Sequence, residues 1–295
     1  MAHQETDVFV RLERFYDAVP RDAAVAEDIG EFVLFVRQGE GWPFYARPRL
    51  GSDTPSASDV TAVRRRQRDL GAPEAFEWVH ETTPDLLAVA RSAGLDVLLA
   101  PLMVLERAAL VPDLPLPDAS IRLLDPASPT FAADLNATRA VAQLGFSAPP
   151  SAGPAGPITG PAGALTGPAP AAGPAERDAI PPMSEAAVAE QGRRYASGRF
   201  IGAVVESPTD GVLASGMTQQ VRDVAEIAGV ATLPVARRRG YASQLTATLA
   251  RAALENGADL VFLSAGDDDV ARLYSKVGFR RIGTACIAEP AAAPL

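Results

Sequence analysis

The sequence predicts a mixed α/β fold, with a sheet flanked by helices, and it predicts that this structural unit occurs twice. Between residues 200 and 287, short apolar runs typical of strands alternate with longer runs of helical period. A weaker form of the same order occupies residues 1–110. A strand, a helix and a strand that recur in the same order argue for duplication of one unit.

The second half of the chain has the clearer pattern. Apolar spacing and turn residues predict a strand at 121–124, helices at 131–144 and 183–195, strands at 200–205, 212–219 and 223–233, a helix at 239–255, a strand at 260–263, a helix that begins near 267–269, and a last strand at 281–287. Asn256-Gly257 and Gly278 follow the last two helices and are typical helix stops.

In the first half of the chain, the apolar spacing predicts strands at 31–37, 44–47 and 76–80 and a helix at 60–70. Setting Gly94 on Gly278 without a gap places Trp78 on Phe262 and Leu95 on Phe279. Chance agreement between two unrelated strand-helix-strand segments is the alternative to duplication. We expect two domains, at 1–115 and 118–295, with a flexible loop at 148–174 that consists almost entirely of Ala, Pro, Gly, Ser and Thr.

Charge and composition narrow the class of protein. The chain of 295 residues has 27 Lys and Arg against 36 Asp and Glu, a net charge of −9, which disfavours broad binding to nucleic acid or anionic membranes. A single cysteine excludes an intramolecular disulfide, and the first residues lack a secretory signal. We therefore expect a cytoplasmic protein without membrane spans, while oligomer formation is left open.

The segment 230–242 carries the clearest chemical signal. A predicted strand ends there, and a helix begins with the pattern Arg237-x-x-Gly240-x-Ala242. The first amide groups of a helix have no internal acceptors, and the helix dipole attracts an anion to them. Gly240 and Ala242 keep bulky side chains away from this position, so a pyrophosphate is the predicted ligand. The alternative is an ordinary strand-turn-helix whose arginines lie in solvent.

This segment resembles motif A of the GNAT acetyltransferase superfamily. Thirty residues further, Leu273-Tyr274-Ser-Lys-Val-Gly-Phe279 resembles motif B of the same superfamily, and the resemblance covers about 120–287. It implies a central, mostly antiparallel sheet whose fourth and fifth strands separate around the pantetheine arm of acetyl-coenzyme A. The cofactor-binding residues that it implies are Thr232, Leu233, Val235, Arg237, Arg238, Arg239, Gly240, Tyr241, Ala242 and Ser243.

Two residues are candidates for catalysis. Tyr274 matches the position at which many members of the superfamily place a general acid, and a donor there would stabilise the departing thiolate. Glu226 precedes Arg237 at the spacing of the general base in histone-acetyltransferase members, and a carboxylate could take a proton from an ammonium group. Simple core packing for Tyr274 and an outward strand carboxylate for Glu226 are the structural alternatives.

Asp267 departs from the superfamily pattern, which often has Asn in contact with the cofactor at this position. A carboxylate there would repel a diphosphate, so we expect Asp267 or a neighbour to cap the following helix instead. Cys286 is expected to be a small core residue rather than a nucleophile, and His3 and His80 give no metal signature.

The sequence thus favours an N-acetyltransferase in which an amine attacks acetyl-coenzyme A directly. The alternative is a non-catalytic module that binds or senses acyl-coenzyme A. The amine acceptor cannot be identified from the residues. The first half is expected to have lost catalysis and cofactor binding, because Ala90 takes the place of Tyr274 and because Asp53 and Asp59 lie where a diphosphate would need positive charge.

Overall fold

The chain folds into two compact units. A computed structural model describes residues 2–39, 43–112, 115–147 and 171–291, with side chains from residue 7. The first unit comprises Met1–Leu102 and Arg281–Leu295, and the second comprises Met103–Arg280. The first unit therefore includes residues 281–291 as well as the first part of the chain, while the domain division at 115–118 stays a prediction from the sequence.

The first part of the chain contributes strands and helices in alternation. Its elements are α1 Ala2–Ala18, β1 Ala24–Ile29, β2 Phe32–Arg37, β3 Ala46–Pro48, α2 Ala57–Asp69, β4 Phe76–Val79, α3 Leu86–Ser92 and β5 Leu95–Leu105.

The second part continues in the same manner. Its elements are β6 Ser120–Leu123, α4 Phe131–Ser147, α5 Pro174–Asp178, α6 Glu185–Ala196, β7 Phe200–Ser207, β8 Gly211–Val221, β9 Val224–Thr232, α7 Tyr241–Glu255, β10 Leu260–Ser264, α8 Asp268–Ser275 and β11 Phe279–Pro290.

The first unit contains strands in the order β1-β2-β3-β4-β11. All of these neighbours are antiparallel except β3 and β4, which are parallel. Phe76, Trp78 and Leu86 form its apolar core together with Cys286, which β11 brings beside β4. Cys286 is fully buried, and this burial raises the pKa of its thiol to about 12. The prediction that Cys286 is a core residue is confirmed.

The second unit contains strands in the order β10-β9-β8-β7-β6. The neighbours are antiparallel except β9 and β10, which are parallel. Helix α7 packs on one face, where a Cβ on Gly216 would lie 3.0 Å from Leu249 Cδ1. Helix α4 packs on the other face, where Ser215 Oγ donates to the Thr138 carbonyl at 3.2 Å. The predicted mixed, mostly antiparallel sheet flanked by helices is confirmed.

The two glycines that were paired in the sequence occupy corresponding turns. Gly94 follows α3 and directly precedes β5 with φ +77°, and Gly278 follows α8 and directly precedes β11 with φ +114°. Both therefore have the left-handed backbone conformation that glycine adopts most easily. This agreement supports the duplication.

The predicted flexible loop at 148–174 lies outside the described residues as far as residue 170. Its end is described, since α5 begins at Pro174. Arg177 of α5 is buried and donates to the carbonyls of Asp210 and Val212 at 2.7 and 2.5 Å, so it ties α5 to the β7–β8 turn. Over the described ranges, no helix has the length and apolar character needed to cross a bilayer, and no cluster of His, Cys, Asp and Glu could hold a metal ion.

Substitution of Gly278 tests the turn before β11. A Cβ on Gly278 would lie 2.1 Å from the Ala109 carbonyl oxygen, whereas a Cβ on Gly257, with φ +94°, would meet nothing within 4 Å. We expect Gly257→Ala to lower the free energy of unfolding by about 1 kcal/mol through its φ alone. Gly278→Ala should lower the free energy of unfolding by about 1–3 kcal/mol more than Gly257→Ala does, because backbone atoms must move. Denaturant titration of both variants checks this, and equal losses would contradict the close approach to Ala109.

Candidate functional site

The strands β9 and β10 part from each other in the second unit. Their parallel pairing covers Val224–Glu226 of β9 and Leu260–Phe262 of β10. Beyond that point β9 continues to Thr232 and β10 to Ser264 without pairing to each other. The main-chain groups on the two facing edges beyond this point therefore do not hydrogen-bond across to the other strand. This is the separation of the fourth and fifth strands that the sequence resemblance implied.

A β-bulge bends β9 just before its end. Ser215 of β8 faces Ala231, and Met217 faces Ala228, so one residue of β8 opposes two residues of β9. One of these two is Gly229, which has φ +64°. Bulges of this kind re-aim a strand and are frequent beside active sites. The sequence predicts a single strand at 223–233, and the bulge within it was not predicted, although a lone glycine within a strand is a signal for one.

The start of α7 lacks a capping side chain. Its N-cap residue, Gly240, has φ +81° and makes no side-chain hydrogen bond. The first helical hydrogen bond runs from the Gln244 amide to the Gly240 carbonyl at 3.2 Å. The preceding amide groups, those of Tyr241, Ala242 and Ser243, therefore have no acceptor within the helix. A Cβ on Gly240 would meet no described atom within 4 Å, so the space beside Gly240 is open as far as the described residues go.

The turn that leads into α7 has an unusual backbone. Arg238 has φ +65°, a conformation that is uncommon for residues other than glycine. Arg238, Arg239 and Gly240 are all exposed, so the charged side chains of this turn lie beside the open helix end. An anion near the α7 amides would therefore meet positive charge as well as N–H donors.

Arg237 has a structural partner. Its Nη2 donates to the Gly145 carbonyl at 2.6 Å, near the end of α4, and burial lowers its pKa. A Cβ on Gly145 would lie 3.0 Å from Ala231 Cβ and 3.3 Å from the Thr232 carbonyl oxygen, so α4 approaches the end of β9 closely. Arg237 thus holds α4 against the β9–α7 junction.

Arg239 and Tyr241 adjoin Asp118. Arg239 Nη1 lies 3.2 Å from Asp118 Oδ2, with both side chains about half exposed. A pair exposed to this extent contributes at most about 1 kcal/mol. Tyr241 is 2% exposed, and burial together with the Asp118 carboxylate raises its pKa. Its hydroxyl makes no hydrogen bond of normal geometry with a described residue.

The main-chain amides at and after the end of β9 differ in how firmly they are hydrogen-bonded. The Leu233 amide donates to the Leu213 carbonyl at 2.9 Å. The Val235 amide donates to the Ala172 carbonyl at 3.4 Å, which is a long and therefore weak hydrogen bond. Val235 is 44% exposed. Of the residues predicted to contact pantetheine, Leu233 is engaged by the sheet, whereas Val235 has a partner that is easily exchanged.

Glu226 lies at the last pair before β9 and β10 separate. It faces Gln219 of β8 on one side and Phe262 of β10 on the other. Gln219 Nε2 donates to Glu226 Oε2 at 2.7 Å. The side chain keeps some exposure, but its carboxyl is withdrawn from solvent, and this burial raises its pKa to about 7. A carboxyl with this pKa can exchange protons near neutral pH.

Tyr274 lies on α8, the helix that follows β10. It is 8% exposed, its ring centroid lies 6.2 Å from that of Phe279, and burial raises its pKa to about 12. The phenol therefore keeps its proton throughout the neutral range. Tyr274 belongs to the same apolar cluster as Ala225 and Ile227, the neighbours of Glu226 in sequence. Among the described residues, however, no hydrogen bond joins Glu226 to Tyr274.

Asp267 caps α8. Its Oδ1 accepts a hydrogen bond from the Val270 amide at 2.8 Å. The prediction that Asp267 caps the helix is therefore confirmed. That it makes no contact with a cofactor stays a prediction.

The corresponding helix of the first unit is closed by its own side chains. At the start of α2, the Ser56 amide donates to Asp59 Oδ2 at 2.8 Å and the Asp59 amide donates to Ser56 Oγ at 3.3 Å, which forms a capping box. Gly30 lies so close that a Cβ there would fall 1.9 Å from Asp59 Oδ1. The start of α2 thus has side-chain capping by Ser56 and Asp59, whereas the start of α7 has none. Ala90 of α3, moreover, is a buried residue without a proton to donate.

Comparisons with known proteins agree with this geometry. Residues 202–288 match the family model described as FR47-like protein. A GCN5-related N-acetyltransferase from Kribbella flavida is similar over 95% of both chains, with a TM-score of 0.64 and 20% identity. A GCN5-related N-acetyltransferase-like protein from Streptococcus suis is similar over 98% of this chain and 99% of that chain, with a TM-score of 0.54 and 14% identity.

A tandem GNAT protein from the clavulanic acid biosynthesis pathway is also similar, over 89% of this chain and 80% of that chain, with a TM-score of 0.50 and 13% identity. No curated protein matches the sequence. The matched segment 202–288 spans β9, α7, β10 and α8, which are the elements that build the candidate site. The chain therefore has the same fold as these GCN5-related N-acetyltransferases, and its segment 202–288 has the sequence pattern of the FR47-like family.

Proposed function

We propose that the protein is an N-acetyltransferase that transfers an acetyl group from acetyl-coenzyme A to an amine by direct attack. The observation that carries the proposal is the uncapped start of α7 beside the two strands that separate. A diphosphate at Gly240 would receive hydrogen bonds from the amides of the first helical turn. The space between β9 and β10 would then accept the pantetheine arm.

The residues present fit this cofactor in two respects. Gly240 leaves the anion site open, and Arg238 and Arg239 are exposed beside it. Val235 can exchange its long hydrogen bond with Ala172 for a hydrogen bond with the arm. When bound, acetyl-coenzyme A supplies an acyl group activated as a thioester.

Glu226 is the proposed general base. An amine exists mostly as an ammonium ion at neutral pH and must lose a proton before it can attack. Because its pKa is raised to about 7, the Glu226 carboxylate is a stronger base than an ordinary glutamate and is still partly ionised at neutral pH. It would take the proton directly or through a water molecule.

Tyr274 is the proposed stabiliser of the leaving sulfur. An ordinary thiol has a pKa of about 8.5, well below the pKa of about 12 that burial gives Tyr274. Complete proton transfer from the phenol to a thiolate is therefore uphill, whereas a hydrogen bond from the phenol to the sulfur requires no transfer. We accordingly assign Tyr274 as a hydrogen-bond donor in the transition state rather than as a full proton donor.

The acceptor amine is the unknown part of the reaction. Incubation of the protein with acetyl-coenzyme A and panels of antibiotics, polyamines, amino acids and peptides, with thiol release as the readout, tests the proposal. Turnover that depends on an amine supports the enzyme. Binding of acetyl-coenzyme A without turnover on any acceptor would instead favour a non-catalytic acyl-coenzyme A binding module.

Gly240→Glu should weaken the binding of acetyl-coenzyme A strongly, because it places a side chain and a negative charge beside the α7 amides. We expect micromolar-range affinity for the unaltered protein and at least about a hundredfold loss for the variant. Gly257→Glu is the matched control, since Gly257 has a similar positive φ and open space at the opposite end of α7. If calorimetry shows equal affinities for the two variants, the diphosphate does not bind at Gly240.

Tyr274→Phe should lower kcat by about ten- to a thousandfold while leaving the affinity for acetyl-coenzyme A nearly unchanged. The change removes only the hydroxyl and keeps the ring against Phe279. Tyr195→Phe removes another buried phenol whose pKa is also raised to about 12, and it should leave kcat unchanged. Steady-state kinetics with chemistry as the slow step provide the measurement. An unchanged kcat for Tyr274→Phe would remove Tyr274 from the mechanism.

A further inference from the structure

Gln219 is placed opposite Glu226 by the register of β8 and β9. The two residues are direct cross-strand neighbours, so their side chains project from the same face of the sheet. This is the face covered by α4, because Ser215, on the same face of β8, donates to Thr138 of that helix. The hydrogen bond of 2.7 Å from Gln219 Nε2 to Glu226 Oε2 is therefore a product of strand pairing.

We infer that Gln219 is a positioning residue, which holds the Glu226 carboxylate at the point where β9 and β10 separate and keeps it able to accept a proton. The inference rests on the proposed function, in which Glu226 is the base. It assigns the orientation of that base to a neutral amide on the neighbouring strand.

The neutrality of Gln219 matters for the chemistry. An adjacent Arg or Lys would stabilise the carboxylate strongly and would make it a weak base. Elsewhere in the same unit, two carboxylates do pair with an arginine, since Arg122 lies 2.6 Å from Asp134 Oδ1 and 2.7 Å from Glu206 Oε2. An amide donor stabilises the carboxylate less, so burial prevails at Glu226 and its pKa is raised. Gln219 thus orients the base without removing its basicity.

Among the described residues of the strands and helices around Glu226, no cation forms a hydrogen bond or an ion pair with its carboxyl. Strands β8 and β10 contain no charged residue. On α4, Asp134 is bound by Arg122, and Arg139 donates to the Pro181 carbonyl. On α7, which covers the opposite face, the charged residues are Arg251, which donates to the Val111 carbonyl, and the exposed Glu255. Burial and the Gln219 amide are therefore the influences that act on Glu226.

An amide can also serve both states of the base. Its N–H donates to the ionised carboxylate, and its carbonyl can accept from the protonated carboxyl after rotation of the amide. In the proton-transfer step, an N–H bond of the ammonium breaks, its electron pair stays on nitrogen, and an O–H bond forms on Glu226. Gln219 can remain hydrogen-bonded before and after this step, so the carboxyl keeps its position.

The test is the titration of Glu226 in the unaltered chain and in two variants. Gln219→Leu removes the donor, so the ionised form loses stabilisation and the midpoint should rise by about one pH unit. Gln219→Lys introduces a cation, which favours the ionised form, and the midpoint should fall by about one to three units. Carbon-13 NMR of labelled glutamate carboxyls follows the titration directly, with Glu226→Gln to assign the signal.

The same variants are then compared in the pH dependence of kcat on one acceptor. The base must be ionised, so activity should rise with pH through a midpoint near 7 in the unaltered enzyme. The midpoint should move up in Gln219→Leu and down in Gln219→Lys, with the same amine in every assay. A purely structural role would lower the rate in both variants without opposite shifts.

The outcomes separate the inference from the proposed function. Titration midpoints that stay unchanged, or that move in the same direction in both variants, would overturn the role of Gln219. Opposite shifts by NMR establish that Gln219 tunes and holds the carboxyl. If Glu226→Gln keeps full activity and the same pH dependence, then Glu226 is not the base, and the inference that Gln219 positions the base is overturned with it.

Discussion

Helix starts must find acceptors for their first amide groups, and the way each helix meets this requirement determines where a ligand can bind. Among the described helices, α2 is capped by Ser56 with Asp59, α6 by Ser184 and α8 by Asp267, whereas α3 and α7 have no side-chain cap. Helix α7 begins at Gly240, which has no side chain to contribute. Its amides are consequently left for an external anion. The separation of β9 from β10 and the bulge at Gly229 place this helix end beside a gap between strands, and the proposed chemistry depends on that placement.

Local sequence signals predicted most of the second unit. The strands, the start of α7 after Arg237-x-x-Gly240 and the cap at Asp267 follow from apolar period, glycine placement and capping preference, all of which act within a few residues. The pairing of Gln219 with Glu226 was missed because it depends on the β8–β9 turn. Arg222 adopts φ +55° there, between strands that end at Val221 and begin again at Val224. Arg-Asp is not a typical pair for such a tight turn, so the register could not be counted from it.

Pairing between strands that are far apart in the sequence was the other feature that could not be predicted. Strand β11 was predicted as a strand, but nothing within its residues indicates that Ala285 and Cys286 pair with Val79 and Trp78 of the first unit. Apolar alternation shows that a strand is buried on one face and does not select its neighbour. The helices α1 and α5 were also not predicted, α5 because its first residue falls at the end of the Pro-rich tract.

The two units therefore differ at the first turn of the helix that follows the third strand of the first unit and the fourth strand of the second. In α2 this turn is capped by Ser56 and Asp59, and in α7 it has no side-chain cap. The account predicts that calorimetric titration of the full chain with coenzyme A gives a stoichiometry of about one per chain. A stoichiometry near two, or electron density for coenzyme A beside Ser56 in a ligand-bound crystal structure, would contradict it.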